Sequence, residues 1–109
     1  MRLLRTHNNP VPSTIDLKYS DEPITFKTVD ENGVAVSSTW TLTYDREWMY
    51  SENLGSLSAT PFVYSVTGAT ATYNPPLRTT EKQSVRQHVI LQVVPSDGSP
   101  TRNLTITIS

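Results

Sequence analysis

The stretch Trp40–Tyr50, with the sequence WTLTYDREWMY, decides the fold. Trp40, Leu42 and Tyr44 alternate with two threonines, and this period is typical of a half-buried β-strand. Both tryptophans of the chain and two of its five tyrosines lie in this segment. Because each large aromatic side chain buries roughly 150–250 Å², the segment predicts the anchor of a hydrophobic core.

Other segments show the same alternation and are separated by turn residues. Asp30-Glu31-Asn32-Gly33 is a strong turn signal, because Asn-Gly readily adopts positive φ. The remaining predicted strands cover residues 15–19, 24–28, 34–36, 62–66, 69–73, 85–94 and 104–108. Strands at this spacing predict an all-β fold, an immunoglobulin-like β-sandwich of about seven to eight antiparallel strands.

The first thirteen residues differ from the rest of the chain. They are polar, and Pro10 and Pro12 oppose both a helix and a central strand. The sequence therefore predicts an extended N-terminal arm over residues 1–13 and one sandwich domain over residues 14–109. In this interpretation Arg2, Leu3, Leu4 and Arg5 of the arm supply contacts that dock the domain on a larger assembly.

Composition narrows the classes of partner. The net charge is −1 and the sequence pI is about 6.0, and the basic residues are scattered, so we expect no nucleic-acid partner. No signal peptide and no apolar run of membrane-spanning length is visible, so we expect no membrane insertion. The start at Met1 is interpreted as the start of a complete reading frame. Without cysteine, disulfides and thiolate chemistry are excluded.

No constellation of residues predicts catalysis, a metal or a cofactor. His7 and His88 are far apart in sequence, and no Gly-x-Ser-x-Gly motif is present. The acidic residues between positions 45 and 52 are interpreted as solvated loop charges. The acidic turn at residues 30–32 lacks the spaced ligands of a calcium loop, and the Asn103-Leu104-Thr105 sequon is attributed to chance. We therefore expect a protein that is not an enzyme.

The aromatic residues leave two interpretations open. Sugars stack on exposed aromatic faces, so Trp48, Tyr50 and Tyr73 would form a glycan platform if they point outward. Alternatively, Trp48 packs between the sheets, as the buried tryptophan of an immunoglobulin-type sandwich does. For Trp40 the strict alternation favours the core.

Two motifs resemble those of BACON domains, immunoglobulin-like modules of Bacteroidetes. The first is Trp40 followed eight positions later by Glu47-Trp48 and a loop of small residues; the second is the apolar strand at residues 89–93, a polar loop, Arg102 and Leu-Thr-Ile-Thr-Ile. The similarity covers about residues 24–109. The segment 61–80 departs from the pattern, because it has Asn-Pro-Pro and no Gly-rich match.

The resemblance implies an interaction module. Such modules also occur on the capsids and tails of phages that infect these bacteria. Together with the leaderless start, this favours a structural or decoration module on a virion, with protein partners. The alternatives are a carbohydrate-binding module, or a spacer, of a bacterial cell-surface protein. Self-association through an edge strand is a further expectation.

Overall fold

The computed structural model describes residues 1–5, 9–18, 20–44, 54–60, 63–76 and 87–109. This part of the chain contains nine β-strands. They are β1 (Arg2–Arg5), β2 (Asn9–Pro10), β3 (Thr14–Leu17), β4 (Ile24–Val29), β5 (Ser38–Tyr44), β6 (Ser65–Gly68), β7 (Thr70–Tyr73), β8 (Gln87–Pro95) and β9 (Arg102–Ile108). Among these residues, no helix is long and apolar enough to span a membrane.

The strands form two sheets that pack as a sandwich. The four-stranded sheet has the order β2-β1-β4-β7, and the five-stranded sheet has the order β3-β9-β8-β5-β6. All pairings are antiparallel except that of β3 with β9, which is parallel. The predicted all-β sandwich is therefore confirmed. The described strands number nine, because seven predicted strands form, the one at residues 34–36 does not, and two short N-terminal strands were not expected.

One tryptophan lies in the core between the sheets. Trp40 on β5 is completely buried, as is the core tryptophan of an immunoglobulin-type sandwich. Its Nε1 donates a hydrogen bond to the Gly68 carbonyl oxygen at 2.9 Å, so the indole is satisfied within the core.

The core lies between the sheets and follows the alternation that the sequence predicts. On β8, Val89, Leu91 and Val93 are fully buried, whereas Gln92 and Val94 face outward and are exposed. On β9, the three inward side chains are those of Leu104, Ile106 and Ile108, all with no exposed surface. From the opposite sheet, Leu3, Phe26, Ala71 and Tyr73 complete the same cluster.

One buried polar pair connects the sheets. The Thr28 hydroxyl on β4 donates to the Val36 carbonyl oxygen at 2.6 Å and lies 2.9 Å from the Ser38 hydroxyl on β5. Thr28 and Ser38 are both almost completely buried. A buried hydroxyl must be hydrogen-bonded to avoid a desolvation cost, so this pair fixes the point where the chain crosses from one sheet to the other.

The Asp30–Gly33 turn forms as predicted, but the predicted strand at residues 34–36 does not. Gly33 has a φ of 81°, and Asp30 Oδ1 accepts hydrogen bonds from the Asn32 and Val34 amides. After the turn only Ala35 forms a bridge, to Val29. The hairpin stops there because β4 already pairs with β1 on one side and β7 on the other.

The structure corrects the prediction of an arm over residues 1–13. Residues 2–5 form β1, which pairs with residues 26–29 of β4 and lies inside the four-stranded sheet. Leu3 and Val11 are buried in the core. The two prolines do not prevent this, because Pro10 lies on the edge strand β2, where proline is tolerated, and Pro12 lies beyond it.

Candidate interaction surfaces

The four N-terminal residues predicted to dock the domain differ in their exposure to solvent. Leu3 points into the core, and only 2% of its surface is exposed. Leu4 lies opposite Lys27 and is also buried. Arg2 is exposed and Arg5 is half-buried. Both leucine side chains are therefore already covered within the domain, whereas the docking role of residues 2–5 stays a prediction.

Further contacts hold the N-terminal segment on the sandwich. The Arg102 guanidinium donates a hydrogen bond to the Val11 carbonyl oxygen. The Met1 ammonium group donates to the Ser99 hydroxyl at 3.4 Å. Ser99 in turn lowers the pKa of Asp97 below its ordinary value of 3.8, because its hydroxyl and its backbone amide both donate to the carboxylate.

One of the three residues predicted to form a glycan platform is buried. Tyr73 is completely buried, and its hydroxyl donates to the Leu54 carbonyl oxygen at 2.7 Å. It cannot stack on a sugar, because it faces the core beside Ala71 on the inner side of β7. Trp48 and Tyr50 lie outside the described residues, as do His7 and the acidic residues at positions 45–52.

The chemistry-bearing residues that are described do not converge. Within the described ranges, no group of three or more His, Asp or Glu side chains is placed to hold a metal ion. His88 is half-buried and lies opposite Thr107 on the outer side of the five-stranded sheet. An open groove of about 510 Å³ is lined by Arg5, Leu17, Asp21, Glu22, Pro23 and Ile24, so it combines one guanidinium with two carboxylates.

The outer side of the five-stranded sheet forms a broad surface, which we call the outer face. Sequence reasoning did not assign it a role, because only the strand register shows which residues share it. Its described members are Thr14, Asp16, Thr39, Thr41, Thr43, Ser65, Thr67, His88, Ile90, Gln92, Val94, Asn103, Thr105 and Thr107.

The register arranges these side chains in rows across the strands. In the central row, Ser65 lies opposite Thr41, Thr41 opposite Gln92, and Gln92 opposite Asn103. Neighbouring rows place the apolar Ile90 and Val94 among threonines. The described members include no lysine, arginine or glutamate, and their one aspartate, Asp16, lies on the edge strand β3.

A second groove lies on the side of the sandwich where β6 and β7 form the edges of their sheets. It has a volume of about 450 Å³ and is lined by Leu57, Ser58, Ala59, Val66, Thr70, Ala71, Thr72 and Asn74. Its apolar lining comes from core residues that reach this edge. None of these lining residues is charged.

Asn74 and Ser56 fix the loop that borders this groove. The two residues exchange backbone hydrogen bonds of 3.0 and 2.7 Å. The side-chain amide of Asn74 also donates to the Ser58 carbonyl oxygen at 2.9 Å. The Ser56 hydroxyl donates to the Thr60 carbonyl oxygen at 2.6 Å. The loop at residues 54–60 is therefore tied to the end of β7.

No protein-family model matches the chain, and a search of curated proteins finds no relative. The likeness to BACON domains therefore stays a prediction from two short motifs. Of those motifs, Trp40 and the ending at residues 102–108 lie in described strands, where they form part of β5 and β9. Glu47-Trp48 lies outside the described residues.

Proposed function

We propose that this protein is a non-catalytic, immunoglobulin-like structural module that docks on a larger protein assembly, with a phage virion as its first context. The observation that carries the proposal is the charge-depleted outer face. Charged residues are depleted at the cores of protein–protein interfaces. An ordinary solvent-facing sheet surface carries lysine and glutamate, whereas the described members of this surface are threonine, serine, asparagine, glutamine, two aliphatic residues, His88 and, on the edge strand β3, Asp16.

The position of the outer face also suits a docking role. Its centre lies on β5, β8 and β9, and the middle strand β8 pairs with β5 and with β9 along seven residues each. On their inner side, the same three strands carry buried side chains of the core. The surface is therefore presented on the most firmly paired part of the domain, and docking on it requires little ordering of the chain.

The partner that fits this face is an uncharged protein surface. Hydroxyl and amide groups would exchange hydrogen bonds with it, and Ile90 and Val94 would supply apolar contacts. The N-terminal residues do not form a separate docking arm in this proposal, since Leu3 and Leu4 are covered. Exposed Arg2 stays available at the rim of the opposite sheet.

Quantitative mass spectrometry tests the proposal. Purified phage particles and outer-membrane fractions from the source culture would be searched for peptides of this chain and for its true N-terminus. The proposal predicts many copies per particle and none of the chain in the membrane fraction. Peptides confined to the membrane fraction, within a longer exported polypeptide, would contradict it. That result would favour the surface-module alternative, for which loss of glycan binding in Trp48→Ala is the next test.

A further inference from the structure

The described part of the sandwich has four edge strands, and they differ in how they resist pairing with another chain. Proteins protect edges with charged residues, prolines or very short strands. In the four-stranded sheet, β2 has two residues and ends in Pro10. In the five-stranded sheet, β3 carries Asp16. By contrast, β6 (Ser-Val-Thr-Gly) and β7 (Thr-Ala-Thr-Tyr) have neither proline nor charge.

The backbone of β7 directs hydrogen-bonding groups outward at two positions. The Thr28 amide donates to the Ala69 carbonyl oxygen at 3.0 Å. Because hydrogen-bonded and non-hydrogen-bonded pairs alternate along an antiparallel ladder, Lys27–Thr70 and Thr25–Thr72 are the non-hydrogen-bonded pairs. The Thr25 and Thr72 hydroxyls lie 3.0 Å apart, as the close approach in such a pair allows. The N–H and C=O groups of Thr70 and Thr72 therefore point away from β4.

At the next outward position, Asn74, the chain already forms an isolated antiparallel bridge with Ser56. Asn74 exchanges both backbone hydrogen bonds with Ser56, and the chain then turns away to pair Leu57 with Val63. Among the described residues, one group reaches the outward side of Thr70 or Thr72. It is the side-chain amide of Asn74, whose Nδ2 lies 3.4 Å from the Thr72 carbonyl oxygen. Within the described part of the chain, no strand continues the Ser56 pairing along β7.

We propose that β7 is a dimer interface between two copies of this chain. Antiparallel pairing about a twofold axis at Ala71 places Thr70 of one copy opposite Thr72 of the other. Each of these pairs exchanges two N–H···O hydrogen bonds. The two four-stranded sheets then join into one continuous sheet, in an isologous contact.

A second copy fits this edge for three reasons. The outward groups of Thr70 and Thr72 are self-complementary when the strand is reversed. The described residues of the edge and of the adjoining groove carry no charge, so these residues of two copies meet without like-charge repulsion. In the dimer, each copy also covers the apolar lining of the other's groove at Leu57 and Val66.

The inference goes beyond the proposed function and does not rest on it. Since β7 belongs to the four-stranded sheet, a dimer through β7 leaves the outer face of the five-stranded sheet free. Failure of either proposal would therefore leave the other standing.

Sedimentation velocity of the full chain over a concentration series tests the dimer. The test variant is Thr70→Pro, because the Thr70 N–H points outward and its loss removes no described hydrogen bond within one copy. The matched control is Thr67→Pro on β6. The Thr67 N–H also points away from its neighbouring strand, β5. The Leu42 amide donates to the Tyr64 carbonyl oxygen, so the alternation of hydrogen-bonded pairs makes Thr39–Thr67 a non-hydrogen-bonded pair.

The expected result is a monomer–dimer equilibrium for the unchanged chain and for Thr67→Pro. Thr70→Pro removes two intermolecular hydrogen bonds per dimer and should raise the dissociation constant at least about tenfold. A monomer at every concentration, equal dimerisation of Thr70→Pro, or selective loss of the dimer in Thr67→Pro would overturn the inference. Circular dichroism and thermal unfolding confirm that each variant is folded.

A charge experiment tests the register without proline. One chain carries Thr70→Glu with Thr72→Glu, and the other carries Thr70→Lys with Thr72→Lys. The proposed register places like charges opposite one another in either homodimer and opposite charges in the mixed dimer. Each variant alone should be monomeric, and an equimolar mixture should form the heterodimer. A mixture that stays monomeric, or homodimers as stable as the heterodimer, would overturn the inference.

Discussion

Gly55 shows how single residues fix the loop beside the groove. Its φ is 84°, in the left-handed region that favours glycine. A Cβ at this position would collide with the Asn74 carbonyl oxygen and lie 2.8 Å from the Tyr73 hydroxyl oxygen. The same tyrosine hydroxyl donates to Leu54. The close approach of the loop to β7 therefore requires both the conformation and the small size of glycine.

Gly98 is a control for substitution of Gly55, because its backbone has nearly the same φ without close neighbours. Its φ is 83°, but nothing lies within 4 Å of a Cβ placed there. We expect Gly98→Ala to lower the free energy of unfolding by about 1–2 kcal/mol, from left-handed strain alone. Gly55→Ala should cost at least about 1 kcal/mol more, because a collision is added. Urea unfolding of both variants checks this, and equal costs would contradict the role assigned to Gly55.

At the scale of the element, alternation identifies most strands but not their partners. β3, β4, β5, β7, β8 and β9 lie within segments whose apolar residues alternate with threonine or other polar residues, and each was predicted. β6 begins later than predicted, at Ser65. β1 was missed, because Leu3 and Leu4 are adjacent and both become buried on opposite sides of the strand. A period of two cannot reveal a strand that is covered on both faces.

The N-terminal element also changes what its deletion should do. If residues 1–12 were an external arm, their removal would leave the domain folded. In the structure, removal takes Leu3 and Val11 from the core and exposes the backbone of β4. We expect a loss of roughly 3–6 kcal/mol from the two apolar side chains, which is a large share of the stability of a small domain.

Urea unfolding of the truncated chain measures this loss. Arg2→Ala is the control, because Arg2 is exposed and its replacement should change the free energy of unfolding by less than about 0.5 kcal/mol. A truncated chain with the unfolding midpoint of the full chain would show that β1 contributes nothing to the sandwich.

For the whole molecule, the pairing register of the strands determines which residues share a surface, and composition alone does not show this. Threonines alternate with apolar residues on β5 and β9, and this pattern predicts a half-exposed strand. It does not show that β5, β8 and β9 align their outward residues into one face with little charge. Which edge remains open also depends on non-local pairing: β4 occupies one side of β7, and Ser56 pairs only with its end. Sequence reasoning could name edge-strand association but could not assign it to β7.

Docking of the outer face on a larger assembly is tested by a competition experiment. Gln92 lies at the centre of this face and is exposed. Gln92→Lys places a charge there, whereas Val34→Lys places the same charge in the exposed turn after β4. Each variant would be produced together with the unchanged chain while particles assemble. The ratio of variant to unchanged chain in purified particles would then be measured by mass spectrometry.

Burying an unpaired ammonium group at an interface is costly. We therefore expect Gln92→Lys to be depleted in particles at least about tenfold relative to the unchanged chain, which corresponds to about 1.4 kcal/mol. Val34→Lys should be incorporated at parity, and both variants should unfold at the same urea concentration as the unchanged chain. Incorporation of Gln92→Lys at parity would contradict docking through the outer face.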